Sequence, residues 1–322
     1  EFRGTGGSLY FLQRQDLLTG SERVRIEVRD KASGLVTGVV NLMPAMDYDI
    51  DYLQGRIVLT EPLASTAEDN LLVRTGALSG DEAYLVVRYE YTPGFDDIDA
   101  ISVGGQAHYW FGDYVKLGMT SNSNEQNGED SSLNAADLTV RYSADSWVKY
   151  QQGTSEGLVS MTQTSADGGF DFNGYDSASF VNAKADASRA DVSFRLGDFN
   201  DIFDGRITLY TQQVDAGYTA PGITALTDTT NVGGTFNLPL GDGFSVAAKF
   251  DDREQEMGVN TNAREYTFGY RLNDSWDVSV GYREDEREDT SIIVPQTQEE
   301  GKRTDAVMQV GYNSRANWNV YG

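Results

Sequence analysis

Apolar and polar residues alternate along most of this chain, in runs of about ten residues set apart by turns. Trp276, Val278, Val280 and Tyr282 interleave with Asp277, Ser279, Gly281 and Arg283. Just before them, Tyr266, Phe268, Tyr270 and Leu272 interleave with Glu265, Thr267, Gly269 and Arg271, and Asn273-Asp274-Ser275 supplies the turn. Side chains on a strand point to opposite faces with period two, so each run has a greasy face and a wet one. A membrane-spanning β-barrel needs this pattern, because lipid bathes its outside and water its inside.

The device starts near Ile101 and repeats to the end of the sequence. Val103, Gly105, Ala107 and Tyr109 share one face, the turn Gly112-Asp113 follows, and Val115, Leu117 and Met119 continue beyond it. The same alternation predicts strands around Ala136–Tyr142, Trp147–Gln152, Ala190–Leu196, Arg206–Val214, Val232–Leu238, Phe244–Phe250 and Ala306–Tyr312, with a further one starting at Trp318. Polar stretches near Ser121–Leu133, Asp167–Phe180, Glu254–Asn262 and Glu286–Lys302 read as long loops. The expected fold is all-β, an antiparallel transmembrane β-barrel of about twelve or more strands, each near the roughly 9–11 residues that cross a bilayer at a tilt. Short turns at one end and long loops at the other fit that architecture. Trp110, Trp147, Trp276 and Trp318 lie at strand ends, where an interfacial girdle would place them.

Residues 1–95 read differently. Strands are expected at Gly7–Leu12, Glu22–Arg29, Leu35–Asn41, Tyr48–Tyr52, Arg56–Thr60 and Tyr84–Tyr91, with Lys31-Ala32-Ser33-Gly34 as a turn and Pro44, Pro62 and Pro93 as stops. This predicts a small N-terminal β-sandwich-like domain or plug, followed by barrel hairpins over residues 96–322 that belong to a larger barrel.

From Ile101 onward the pattern resembles Gram-negative outer-membrane β-barrel proteins. The stretch from Asp47-Tyr48-Asp49-Ile50-Asp51-Tyr52 through Glu61-Pro62-Leu63, followed by Leu85-Val86-Val87-Arg88-Tyr89-Glu90-Tyr91, is more distinctive. It resembles a segment of very large proteobacterial surface proteins with repeated immunoglobulin-like modules and, more distantly, the translocon of the gliding-motility-associated secretion system. The resemblance implies an outer-membrane barrel within a longer polypeptide, engaged in surface display or export. The chain departs from a complete barrel in ending at Tyr321-Gly322, where a terminal aromatic strand is expected.

Composition narrows the chemistry. The 322 residues carry 25 Lys and Arg against 50 Asp and Glu, a net charge of −25, so nucleic acid is an expected non-partner. Outer-membrane lipid and lipopolysaccharide are expected partners, with a protein partner or secreted passenger also allowed for. Cysteine is absent, which removes disulfides and thiolate metal sites. No run approaches the apolar length of a spanning helix, and the mean hydropathy of −0.45 suits a barrel whose alternate residues alone meet lipid.

The single histidine, His108, shares a strand face with Gln106 and Trp110 and has no serine elbow to serve, so no enzyme activity is expected. Asp47, Asp49 and Asp51 have the spacing of calcium ligands but alternate with Tyr48, Ile50 and Tyr52 as strand residues do. Asp171, Asn173 and Asp176 make a candidate Ca²⁺ loop, for which an ordinary solvated turn is the plainer reading. No cofactor is expected beyond Ca²⁺ or Mg²⁺ at acidic loops such as Asp251–Glu256 and Glu284–Asp289.

The period places Lys116, Asp137, Arg141, Asp191, Arg195, Arg206, Lys249, Arg271 and Arg283 toward a lumen, and Tyr266, Phe268, Val278, Val280, Met308 and Val310 toward lipid. Mixed charge along the inner face suits a hydrated channel or a plugged lumen. The expected function is a pore or translocon-like conduit in the outer membrane of a Gram-negative bacterium. A plugged structural anchor for surface modules is the first alternative, and a soluble all-β binding protein the second.

Overall fold

The computed structural model describes residues 1–66, 81–92, 100–126, 129–159, 162–172, 183–200, 204–290, 300–313 and 319–321. The regular structure there is all-β, apart from one 3-10 turn at Leu196–Asp198.

The first strands are short: β1 (Phe2–Arg3), β2 (Leu9–Phe11), β3 (Arg23–Arg29), β4 (Val36–Asn41), β5 (Tyr48–Asp51), β6 (Arg56–Leu59) and β7 (Glu82–Arg88). They pair antiparallel as two small sheets, β1-β7-β3-β4 and β2-β6-β5. Alternate side chains (Val24 on β3, Tyr48 on β5, Ile57 and Leu59 on β6, Ala83 and Leu85 on β7) meet Phe2, Tyr10 and Leu17 in one buried cluster. Burying each large apolar side chain contributes about 1.5–3 kcal/mol, so this cluster can hold the two sheets together. The expected strands of this region are all present. β1 carries no alternation signal, because two residues cannot show a period.

The remaining long strands form one antiparallel ladder. They are β8 (Ala100–Phe111), β9 (Val115–Gln126), β10 (Glu129–Arg141), β11 (Trp147–Glu156), β12 (Lys184–Arg195), β13 (Arg206–Val214), β16 (Thr229–Gly241), β17 (Phe244–Gln255), β18 (Val259–Arg271), β19 (Trp276–Asp289), β20 (Gly301–Asn313) and the short β21 (Asn319–Tyr321). A small hairpin of β14 (Thr219–Ala220) and β15 (Ile223–Thr224) sits in the β13–β16 connection without entering the ladder. Otherwise neighbours in sequence are neighbours in the sheet. The turns obey local chemistry: Asp242 and Gly243 both take positive φ (50° and 83°), the pattern of a two-residue hairpin turn that follows strand twist.

Two expected loops are strand. Ser121 pairs with Asn134 and Ser123 with Ser132, so the stretch Ser121–Leu133 is mostly ladder. The Glu254–Asn262 stretch closes over residues 256–258 alone. Ladder hydrogen bonds come from the backbone, so polar side chains extend strands well past the apolar segment. Among the described residues β8 pairs only with β9, and β20 pairs with β19 and, at one end, with β21. The described ladder therefore keeps two edges and is not a closed cylinder.

Candidate functional site

Register decides which side chains share a face. Phe268 lies opposite Val280, which lies opposite Met308, while Val246 opposes Phe268 from the other side. The same row runs on through Leu238. These side chains are bare: Tyr266 is 53%, Phe268 47%, Val280 49% and Met308 66% exposed. Val278 and Val310 lie on the same face and are half-buried. Leu117, Leu138, Val140, Val148 and Leu209 extend the exposed apolar face across the sheet.

Rings border that face on both sides. Near the tight turns stand Phe111, Tyr142, Phe194, Phe244, Tyr270, Trp276 and Tyr312, with Phe244 stacked on Tyr270 at 4.3 Å and Trp276 against Tyr312 at 4.7 Å. At the other border stand Tyr150, Phe250, Tyr266 and Tyr282. Beyond these the same face turns polar, with Asp252, Arg264, Glu284 and Lys302. On β19 the two ring borders, Trp276 and Tyr282, lie six residues apart, which is about 20 Å at roughly 3.3 Å per residue.

The opposite face is charged and largely paired. All nine residues placed there by period (Lys116, Asp137, Arg141, Asp191, Arg195, Arg206, Lys249, Arg271 and Arg283) lie on it. Lys116 meets Asp137 at 3.0 Å, Arg189 meets Asp191 at 2.7 Å, and Arg283 lies 3.5 Å from Glu265. The guanidinium of Arg141 sits 4.3 Å from the centre of the Trp110 ring, and Asp145 joins Arg195 to Arg206 near the turns. Arg271 opposes Asp277 across the ladder. His108 is on this face too, between Gln106 and Trp110.

The N-terminal region packs against this charged face. The turn after β3 is built on Asp30, whose Oδ1 accepts the Ala32 N–H (3.0 Å), the Ser33 N–H (2.8 Å) and the Ser33 hydroxyl (2.9 Å). Its Oδ2 receives the Lys249 ammonium from β17. Lys249 also lies 3.5 Å from Asp251, which accepts the Tyr210 hydroxyl at 2.7 Å. Arg287 donates to the Lys31 carbonyl at 3.4 Å. Gly34, at φ +71°, brings the turn so close that a Cβ would stand 3.1 Å from Arg253 Nη1. A hairpin tip normally runs over the surface. Here Asp30, Ala32 and Ser33 are buried.

Burial would by itself raise the Asp30 carboxyl, but the Lys249 charge and hydrogen bond, with the Ser33 donors, outweigh it and hold the group below its usual range. Neighbouring Asp81 moves the other way, raised by burial and by the charge of Asp30. An Asp heading a Lys-Ala-Ser-Gly turn was visible in sequence. Its partner, 219 residues away, was not.

A second seam joins the domain to the segment between β11 and β12. The Arg3 N–H donates to the Ser165 carbonyl (2.9 Å) and the Phe11 N–H to the Gly168 carbonyl (2.8 Å), while Phe2 packs edge-on to Phe172. Asp167 organises this segment, its Oδ1 accepting the Ser165 hydroxyl and the N–H groups of Phe170 and Asp171. Of the candidate calcium loop, Asp171 is exposed here, and Asn173 and Asp176 lie outside the described residues. Among the described residues no group of three acids or histidines is placed to hold a metal. Asp47 and Asp51 act locally, accepting the N–H groups of Met43 and Gln54.

The hairpin β14–β15 folds onto the charged face. Its Thr219 bonds Ser155 and Gly157, and Tyr218 packs with Leu133, Ala185 and Val214. Gly153 leaves the room, since a Cβ there would be 2.6 Å from the Tyr218 hydroxyl.

Compared with known proteins, the chain matches no family model, no curated protein and no solved structure.

Proposed function

We propose that this chain is an outer-membrane β-barrel protein of a Gram-negative bacterium, with its N-terminal domain seated on the luminal face as a plug. One observation carries the reading: an apolar face, bare on strand after strand and edged by aromatic rings, backs onto a charged face. Monomeric proteins in water seldom leave so large an apolar surface open. Hydrocarbon is the solvent that such a face fits, and ring borders fit the two headgroup layers. An even number of strands, as in the twelve-strand ladder, lets the first and last meet antiparallel when a barrel closes.

The role that follows is a conduit whose resting state is plugged. The seat of Asp30 on Lys249 favours the plugged state, and the charged wall behind it would be hydrated once the domain moves. A permanent seat would make the same architecture an anchor for surface modules. Planar-bilayer recording tests both. The expected result is rare, small openings for the intact chain and steady current for Lys249→Met. Silence from both proteins would leave the anchor. Monodisperse behaviour in buffer without detergent would overturn the membrane reading altogether.

A further inference from the structure

A cleft of about 410 Å³ opens where the N-terminal domain meets the wall-side segments. Leu12, Arg14, Arg88, Tyr89 and Tyr91 line it from the domain, and Phe172 and Pro221 from the other side. Pro221-Gly222 is the turn of the β14–β15 hairpin, with Gly222 at φ +87° as a proline–glycine turn requires. That turn brings the backbone up to Arg88, whose Nη2 would lie 3.6 Å from a Cβ on Gly222.

Acids outnumber bases 50 to 25 in this chain, and most guanidinium groups of both regions have a carboxylate partner. Arg14 and Arg88 have none among the described residues. The Arg14 guanidinium is held instead over the Tyr91 ring, 5.0 Å from its centre, while the Tyr89 hydroxyl accepts the Arg14 backbone N–H at 3.3 Å. Two unpaired guanidinium groups beside aromatic and aliphatic walls offer a planar fork for a carboxylate and a flat surface for its body.

We propose that this cleft binds a small organic carboxylate with a flat apolar or aromatic body. The carboxylate meets Arg88 and Arg14, and the body lies against Tyr89, Tyr91 and Phe172. The site does not depend on which solvent bathes the outer face of the sheet. Because its two walls belong to the domain and to the wall-side segments, an occupant bridges them and favours the seated state.

Titration calorimetry of the full chain in detergent micelles tests this, with benzoate as probe and benzamide and inorganic phosphate as controls. Benzoate is expected to bind, with benzamide and phosphate each at least tenfold weaker. Arg88→Gln and Arg14→Gln should each weaken benzoate at least tenfold, and Arg88→Lys should lose less. Equal binding of benzamide, equal binding of phosphate, or no response to either glutamine variant overturns the proposal, as does absence of benzoate binding to the intact chain. Near-ultraviolet dichroism matching the parent shows that a variant's loss is not misfolding. If Arg88→Gln disturbs that signal, the Arg14→Gln result decides.

Discussion

The ammonium of Lys249, midway along β17, rests on the carboxylate of Asp30 in the turn between β3 and β4. The two are 219 residues apart. Each has work besides the other: Asp30 caps its own turn, and Lys249 faces Asp251 on its own strand. The contact thus joins a rigid turn to a rigid wall. A contact between preordered groups costs little further conformational entropy.

Breaking that pair should loosen the domain without unfolding either part. Lys249→Met leaves a buried carboxylate unpaired, and Asp30→Asn keeps most of the turn while removing the charge. The pair lies between an exposed one, at about 0–1 kcal/mol, and a buried one, at about 3–5 kcal/mol, so each variant should cost on the order of 2 kcal/mol of docking. A double-mutant cycle read by hydrogen exchange at the Phe11 and Arg3 amides checks it. Additive losses would show that the two side chains do not interact.

Acid should undo the same contact, late. Asp30 is held below the ordinary carboxylate value of 3.8 by Lys249 and the Ser33 donors, against its own burial. A depressed pKa contributes stability that is present above the unfolded value and vanishes as pH falls through the folded one. The share of docking that rests on Asp30 should therefore hold from neutrality to about pH 4 and fail below it. Asp81, raised by burial and by Asp30, protonates first, which relieves repulsion and tightens docking slightly before the loss. Domain–wall cross-linking yield against pH reads both phases. A loss already complete at pH 6 would assign control to other groups.

Much of this architecture was legible because period two is a local property. Val280 and Arg283 declare opposite faces within a few residues, and the structure puts them there. The polar stretch Ser121–Leu133 misled, because side-chain polarity marks the solvent and the backbone makes the ladder. The seat of Asp30 was not legible at all. Nothing near Lys249 distinguishes it from Lys116, whose partner Asp137 stands on the next strand. The cleft is the same kind of case: Arg14 and Arg88 are far apart in sequence and meet beside Tyr89 and Tyr91 only once the chain is folded.

Gly169 is a second point of close approach in the docked state. Its φ of +100° lies where side chains are strained, and a Cβ would collide with the Phe11 carbonyl. The neighbouring Gly168 carbonyl accepts the Phe11 N–H, so Gly169→Ala must push the segment off β2. The expected cost is about 1–3 kcal/mol, with faster proteolysis near residues 165–170 and an unchanged β-sheet dichroism spectrum. Wild-type protease resistance in the variant would show that the segment can shift without cost.

The solvent of the outer face can be decided by comparing two valines. Val280, on β19, is 49% exposed, and Val40, on β4 of the small domain, is 56% exposed. In water, an arginine at either position stays within about 0.5 kcal/mol of the parent, since its charge remains hydrated. In a bilayer the positions part company. Arginine at the middle of a lipid-facing strand costs about 2–4 kcal/mol, because the guanidinium must leave water or drag it inward. Val280 lies between the ring borders marked by Tyr282 and Trp276, well away from either polar rim. Val280→Arg should therefore lower the denaturant midpoint in phospholipid vesicles by an amount worth at least 2 kcal/mol, while Val40→Arg leaves it in place. Two equal, small shifts would mean that water touches both valines, and the outer face would then need a protein partner.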